Sequence, residues 1–551
     1  MPLKYRFEHF LAFNSRRSPV VARGGVVAAS EHLAAQAGLE IFRSGGNAAD
    51  AAVATAAALN VTEPMMTGLG GDVFAIFYEA STRRVHGVNG SGRSPAELTL
   101  ELAQNAAKGR DALPENSALA VTVPGAAAAW ADVVARHGQL SLARVLAPAI
   151  RMAEEGFPVS PLNAVAWASG VSKLRRSPVG RDLLVAGKRA PEPGEVFQNP
   201  RLAAAMRTLA EDGKEGFYSG WPGRSIVKAV LERGGVLSMD DLAAHETTFE
   251  DPVSTTYRGV TVHEMPPNGQ GVVALEALNL LEGFDAGGLD PLGAEFFHVA
   301  IECVRLAFAD ARRHVADPLH ARVPLAGLIS KEYAARRRRL VDPNRAAASI
   351  GAGDPRGFGA ADDTVYLAAV DREGNACSFI NSNYAAFGTG IVPEGCGFVL
   401  QNRGCNFSLE PGHPNAVAPY KRPYHTIIPA LATVGGELFA AFGVMGGFMQ
   451  PQGHVQVLSR LVDHEFDPQA ALDAPRFYVV GGDPNGPVAL EESVPPATRD
   501  RLAAMGHRTK VVGGMARQVF GRGQVILRNP EGDVFWAGSD PRSDGCALGL
   551  P

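Results

Sequence analysis

Apolar and polar positions alternate with two different periods along this chain, and the switches between them outline its elements. From Ser30 to Ser44 the apolar residues fall at helical spacing, with Ser30 as a candidate N-cap and Gly45-Gly46 as a stop. Asn47 then caps a second helix with Asp50 at its third position, and Ala48, Ala49, Ala51, Ala52, Ala54, Ala56 and Ala58 make that helix small and apolar almost all round. Such a helix has no solvent face, so it predicts close burial against neighbours. It ends before Glu63-Pro64. The glycine-rich loop Thr67 to Asp72 then leads into the strand Val73 to Tyr78. Because the glycines follow a helix and precede a strand, they run opposite to a dinucleotide fingerprint.

The middle of the chain is mainly helical. Leu142–Glu155, Arg201–Glu211, Arg224–Glu232 and Ser238–Ala244 keep a helical period, and after a strand pair with Val260–Glu264 so do Val272–Leu281 and Glu295–His314. Strands return near the end of a loop running from Gly351 to Asp363, a stretch of glycine, alanine and acid with no apolar period. Val365–Val370, the turn Asp371–Asn375 and Ala376–Ile380 read as a hairpin that brings Ser382 back beside the first strand. Strand-rich ends around a helical middle, with no internal repeat, favour an α+β layered fold.

The 551 residues are 46% hydrophobic and 20% charged with a net charge of −5, an ordinary globular balance that gives no basic surface for nucleic acid. Arg336 to Arg339 is the one dense basic run, and it reads as a solvated helix face. Five cysteines, Cys303, Cys377, Cys396, Cys405 and Cys546, include no Cys-x-x-Cys pair, and His413, His425 and His454 lack metal spacing; disulfide frameworks, metals and other cofactors are not expected. No apolar run approaches the length of a membrane span, and Met1 to Phe10 has charges scattered through it, unlike a secretory signal, so a cytoplasmic protein is expected. Gly-x-Ser-x-Gly, Walker and His-Glu-x-x-His motifs do not occur.

Thr364 stands between the mobile-looking loop and a strand. A threonine held there could attack the carbonyl of Asp363; were that bond to break, Thr364 would become an amino terminus with a hydroxyl nucleophile and its own amine as base. The plain alternative is a β-branched residue that merely starts a strand. Further on, Gly446-Gly447 in an apolar setting could expose successive N–H groups as an oxyanion hole, or mark a bend in a strand.

With those residues in hand, the chain resembles the gamma-glutamyltransferase family of N-terminal nucleophile hydrolases from about Gly24 to Gly545. The blocks Ser44 to Val53, Gly68-Leu69-Gly70-Gly71, Val123-Pro124-Gly125, Met265-Pro266-Pro267, the Thr364 hairpin, Phe387-Gly388-Thr389-Gly390, Lys421-Arg422-Pro423 and Gly446-Gly447 stand in family order. The resemblance implies a four-layer αββα sandwich, made as one precursor cut between Asp363 and Thr364 into a large subunit, 1–363, and a small one, 364–551, interlocked as one structural domain. It implies Thr364 as nucleophile, Gly446 and Gly447 as oxyanion hole, Ser382 as a second hydroxyl beside the nucleophile, and Arg93 as a carboxylate clamp, although Arg93 lies two positions nearer the following proline than is usual. A surface salt bridge is the other reading of Arg93.

Several positions depart from the family pattern. Arg403 and Asn406 replace a Gln and an Asp that hold a glutamyl amino group, Tyr384 replaces an Asn with Asn381 and Asn383 close by, and His425-Thr426 replaces a Ser pair. These changes are similar to the branch that includes oxamate amidohydrolase. Arg93, Arg403 and His425 together are expected to favour a small acidic amide without an ammonium group; γ-glutamyl amides such as glutathione remain the family's own expectation. His425 is either a pocket donor or a satisfied core histidine. The short stretch from Phe407 to Arg422 implies no lid, so hydrolysis should outrun transfer to an amine. A homo-oligomer of the two-subunit unit is compatible with the sequence, and so is a non-catalytic scaffold or binding relative of the same fold.

Overall fold

The computed structural model describes residues 17–356, 368–529 and 533–551. Asp363 and Thr364 lie outside the described residues, as does the first half of the predicted strand Val365–Val370. Two seven-stranded sheets face each other among the described residues, and all pairings within them are antiparallel. One runs in the order Val20–Ala22, Val534–Ser539, Arg522–Asn529, Glu437–Met445, Ala430–Val434, Val260–Glu264, Val253–Tyr257. The other runs Cys546–Gly549, Gly25–Ala29, Ala368–Asp371, Ala376–Ser382, Asp72–Glu79, Arg84–Gly90, Thr248–Glu250.

Period-two patterning builds the sandwich. In Gly25–Ala29, Val26 and Ala28 join the core between the sheets with Phe74, Ile76, Leu431, Ala441 and Ile526, while Val27 and Ala29 face the opposite way, into a helical core. A strand buried on both faces needs apolar residues on both, which this one has. Helices cover the outer faces: Ala48–Thr62 lies on the second sheet, and Gly271–Leu281 and Met449–Val462 lie on the first, with Ala294–His314 packed against them. The layers are therefore α, β, β, α, as the resemblance implied.

Every residue of Ala48–Thr62 is buried. Its alanines permit close packing: a Cβ on Gly38 of the preceding helix would lie 2.3 Å from Thr55 Oγ1. Widening one of these alanines to leucine would overpack the layer, at about 1–3 kcal/mol. Asn47 caps the helix through Ala49 N and Asp50 N, and Asp50 closes the capping box, as the sequence predicts. The preceding helix, His32–Arg43, is capped one residue later than expected. Glu31, not Ser30, accepts from Leu33 N and Ala34 N, because its longer side chain reaches the first turn while Ser30 turns to Glu63. The helix at Leu142–Glu155 has the predicted bounds; the one predicted at Arg201–Glu211 runs as Pro200–Tyr218, bent at Gly213 with φ 64°.

Candidate active site

The strand Ala376–Ser382 ends where Asp72–Glu79 begins, so Ser382 and Asp72 sit directly opposite each other in the ladder. At this end of the sandwich lies a cavity of about 190 Å³. Six candidate site residues from the sequence border it: Asn381, Ser382, Tyr384, Thr426, Gly446 and Gly447. They come from three segments distant in sequence, joined only by the folding of the two sheets over one another.

Local geometry around Ser382 is tightly specified. Its Oγ accepts the Tyr384 N–H at 2.9 Å and an Arg403 Nη2–H at 3.3 Å, so its own proton is left for a third partner. Tyr384 holds φ 70°, in the left-handed region, as the turn around the serine hydroxyl requires. The Arg403 guanidinium lies 4.6 Å over the Tyr384 ring. Burial pushes the Tyr384 phenol up to about 12, so it stays protonated.

Arg403 is fully buried just beneath this wall. Its Nη1 donates to Thr426 Oγ1 at 2.7 Å, and its Nε lies 3.5 Å from Asp72 Oδ2. Burial pulls its pKa down, and Asp72 is the main opposing influence. His425 approaches the same carboxylate oxygen at 3.2 Å through Nε2, while its Nδ1 accepts from Ile427 N at 3.3 Å. That pair of contacts assigns the proton to Nε2. Burial first, and the Arg403 charge second, push the imidazole down to about 4, so His425 is neutral near pH 7. Asp72 also accepts from Gly92 N at 3.0 Å.

Gly446 and Gly447 adopt φ 141° and 61°, conformations that favour glycine. Their carbonyls are occupied: Met449 N donates to Gly446 O at 3.1 Å, and Gly447 O accepts Gln450 N at 3.2 Å and Gln270 Nε2 at 3.0 Å. Gln270 Nε2 also donates to Thr426 O at 2.7 Å. One buried amide thus ties the glycine pair to the Thr426 segment. A wall fixed in this way could stabilise a developing oxyanion without reorganising.

Other sequence candidates are placed elsewhere. Asn383 is buried behind the cavity, where its Nδ2 donates to Pro64 O at 3.2 Å and its backbone N to Met66 O at 2.9 Å. Asn406 borders a second cavity. Arg93 pairs with Asp317 at 2.9 Å and donates to Tyr420 O at 3.1 Å, in a separate depression beside His245. Arg93, Arg403 and His425, expected together to favour an anionic substrate, do not line one cavity. Arg93 is turned to Asp317, His425 is neutral, and Asp72 balances Arg403.

Asp72, Glu63, Arg522 and Gln270 escaped the sequence reading. Glu63 and Arg522 line the cavity with their charged groups 3.8 Å apart, and Glu63 Oε2 accepts from Ser30 Oγ at 3.1 Å. Burial, with Asp544 assisting, raises the Glu63 pKa against the pull of Arg522. Two of these residues stood beside features already noted, Glu63 at the end of the alanine helix and Asp72 at the end of the glycine loop; only the fold gives them partners. Among the described residues no group of three or more His, Cys, Asp and Glu side chains is placed to hold a metal ion.

The family model for gamma-glutamyltranspeptidase matches residues 34–550. The chain belongs to the gamma-glutamyltranspeptidase family. It is 37% identical over 535 residues to the glutathione hydrolase-like YwrD proenzyme of Bacillus subtilis, covering 96% of this chain and 99% of that one. It is 34% identical over 538 residues to the oxamate amidohydrolase proenzyme of Klebsiella pneumoniae, with 96% and 99% coverage. Among solved structures, the cephalosporin acylase from Bacillus halodurans superposes with a TM-score of 0.90 at 43% identity, covering 98% of each chain. The chain is thus an enzyme of the gamma-glutamyltranspeptidase class of N-terminal nucleophile hydrolases, and its relatives include proenzymes of hydrolytic members. Among the described residues no helix is long and apolar enough to cross a membrane.

Proposed function

We propose that this protein is a self-processing amidohydrolase in which a cut between Asp363 and Thr364 frees Thr364 as an amino-terminal nucleophile. The observation that carries the reading is the shared cavity of Ser382, Gly446 and Gly447. In the proposed reaction Thr364 Oγ attacks the amide carbon, its α-amine takes the hydroxyl proton and returns it to the leaving amine, and the acyl ester is released by water. Gly446 and Gly447 hold the oxyanion, with Gln270 fixing their wall.

The substrate is a small acidic amide, of the γ-glutamyl or the oxamate kind. The names of the two curated relatives divide in the same way. Since Asp72 offsets Arg403, rejection of an ammonium group is weaker than the sequence suggested; Glu63 and Arg522 give the cavity wall one acid and one cation. The short Phe407–Arg422 segment supports hydrolysis over transfer. Denaturing electrophoresis and amino-terminal sequencing of the purified protein test the reading: two fragments with threonine leading the smaller support self-processing, and Thr364→Ala should give one uncut band. An uncut wild-type chain that releases amine from its substrate would overturn the mechanism.

A further inference from the structure

A second cavity, of about 280 Å³, is bordered by Arg312, Asn406, His413, Tyr424 and Phe448. Three chain segments reach from the first cavity to it. Arg403, which contacts Ser382 and Thr426, begins the single turn that ends at Asn406; Thr426 borders the first cavity and Tyr424 the second; Gly447 borders the first and Phe448 the second. Gln270 links them as well, its Nε2 holding Gly447 O and its Oε1 accepting the Tyr424 hydroxyl at 3.2 Å.

The wall has a definite chemistry. Tyr424 and Phe448 are stacked, with ring centroids 6.2 Å apart and an interplanar angle of 26°, a surface suited to a flat ring. The Arg312 guanidinium lies 5.4 Å over the Phe448 ring at the exposed rim. Its Nε donates to Gly482 O at 2.8 Å and its Nη2 to Gly481 O at 2.6 Å, which fixes the guanidinium plane. Nη1 takes no part in those two bonds and stands at the exposed rim, and among the described residues the Asn406 Nδ2 is buried with no hydrogen-bond partner. A buried amide donor without a partner is unfavourable until an acceptor arrives.

The loop that carries Asn406 is braced. Asn415 Nδ2 donates to Asn406 O at 2.6 Å, and Asn415 N donates to His413 Nδ1 at 3.0 Å. His413 then donates through Nε2 to Arg312 O at 3.2 Å, tying the loop to the end of Ala294–His314. Glu410, the acid on this rim, is exposed to water. The cavity therefore offers an aromatic wall, a fixed cation and an unused amide donor.

We infer that the Arg312–Asn406–Phe448 cavity is a subsite for a flat ring bearing a carboxylate, carried by the substrate beyond its scissile amide. The ring stacks on Tyr424 and Phe448, while Arg312 and Asn406 donate to the carboxylate oxygens. The inference rests on the proposed amidohydrolase reading for its place in the reaction, although binding can be measured without turnover. The ring belongs either to the departing amine or to the acyl group, and substrates distinguish the two.

Two matched pairs test it: an amide of 3-aminobenzoate against the same amide of aniline, and 4-carbamoylbenzoate against benzamide. In one pair the carboxylated compound should have a KM about tenfold lower, as expected for a fixed guanidinium meeting a carboxylate. In Arg312→Met that ratio should fall to about one, and Asn406→Leu should lower it in part. The pair that responds identifies the side of the scissile bond. A ratio near one in the wild type for both pairs, or a ratio unmoved by Arg312→Met, overturns the inference. If no amide in the panel is cleaved, the proposed reaction fails, and calorimetry with 3-aminobenzoate and 4-carbamoylbenzoate then decides the subsite by itself. Arg312-dependent binding of either compound sustains it, and absence of such binding for both rejects it.

Discussion

Arg403 Nη2 donates to the Ser382 hydroxyl at 3.3 Å, placing a buried guanidinium directly behind the serine that borders the candidate catalytic cavity. With Tyr384 N also donating to that oxygen, Ser382 is the acceptor in both contacts. The hydroxyl proton is therefore available to a group in the cavity, and the two donors make the serine oxygen a better proton donor. Ser382→Ala is expected to reduce kcat by about a hundredfold while the fold persists, the usual order for a lost proton-transfer partner. Steady-state kinetics beside thermal unfolding check this; a fall in melting temperature that accounts for the lost activity would instead assign Ser382 to structure alone.

The Arg403–Asp72 pair has its own signature, because removing one charge strands the other in a dry interior. Arg403→Met should destabilise the protein by about 3–5 kcal/mol, since among the described residues Asp72 would keep His425 and the Gly92 N–H as its close partners. Asp72→Asn added to Arg403→Met should restore part of that loss. Urea unfolding of both single variants and the double variant gives the coupling. Additive losses would mean that the two charges do not depend on each other.

How much of this was readable in advance follows from sequence distance. Asn47 and Asp50 cap a helix through atoms within three residues, so local pattern was enough for that element. Ser382 and the glycine pair were singled out from a strand end and a glycine doublet, and the fold brings them to one cavity; their roles come from the resemblance alone. Arg403 and His425 were found as positions without their common partner, since Asp72 is 353 positions away from His425. Periodicity reports which face of an element is buried; it carries no information about which distant carboxylate meets that face. For Arg93 the sequence left a carboxylate clamp and a salt bridge open, and the partner it meets, Asp317, comes from another part of the chain.

The two glycines should respond differently to alanine. At Gly446 a Cβ would meet Gly521 Cα and Met449 Cβ, both at 3.2 Å, whereas at Gly447 nothing lies within 4 Å. Gly447→Ala therefore faces mainly the backbone cost of φ 61°, about 1–2 kcal/mol, and Gly446→Ala adds steric displacement to its own unfavourable φ. If the pair forms the oxyanion hole, Gly447→Ala should still fold and yet lose on the order of a hundredfold in kcat by shifting a backbone donor. Full activity in a folded Gly447→Ala protein would remove that glycine from the mechanism.

His425 predicts a pH response whose sign is fixed by its environment. Its folded-state pKa is depressed to about 4 from 6.5, so between these values the unfolded chain binds the proton that the folded protein refuses. Stability from this residue is fully present above pH 6.5 and is lost as the pH falls toward 4, by about 3 kcal/mol at most. Other groups titrate in the same window, Glu31 with opposite sign because burial raises it to about 8. The test is therefore a difference: His425→Gln should unfold with a shallower loss of stability between pH 6.5 and 4 than the wild type, whatever its stability at pH 7. Equal slopes for the two proteins would mean that the imidazole accepts a proton in the folded state at its ordinary pH, and the neutral Asp72–His425 hydrogen bond would then be the wrong description of the site.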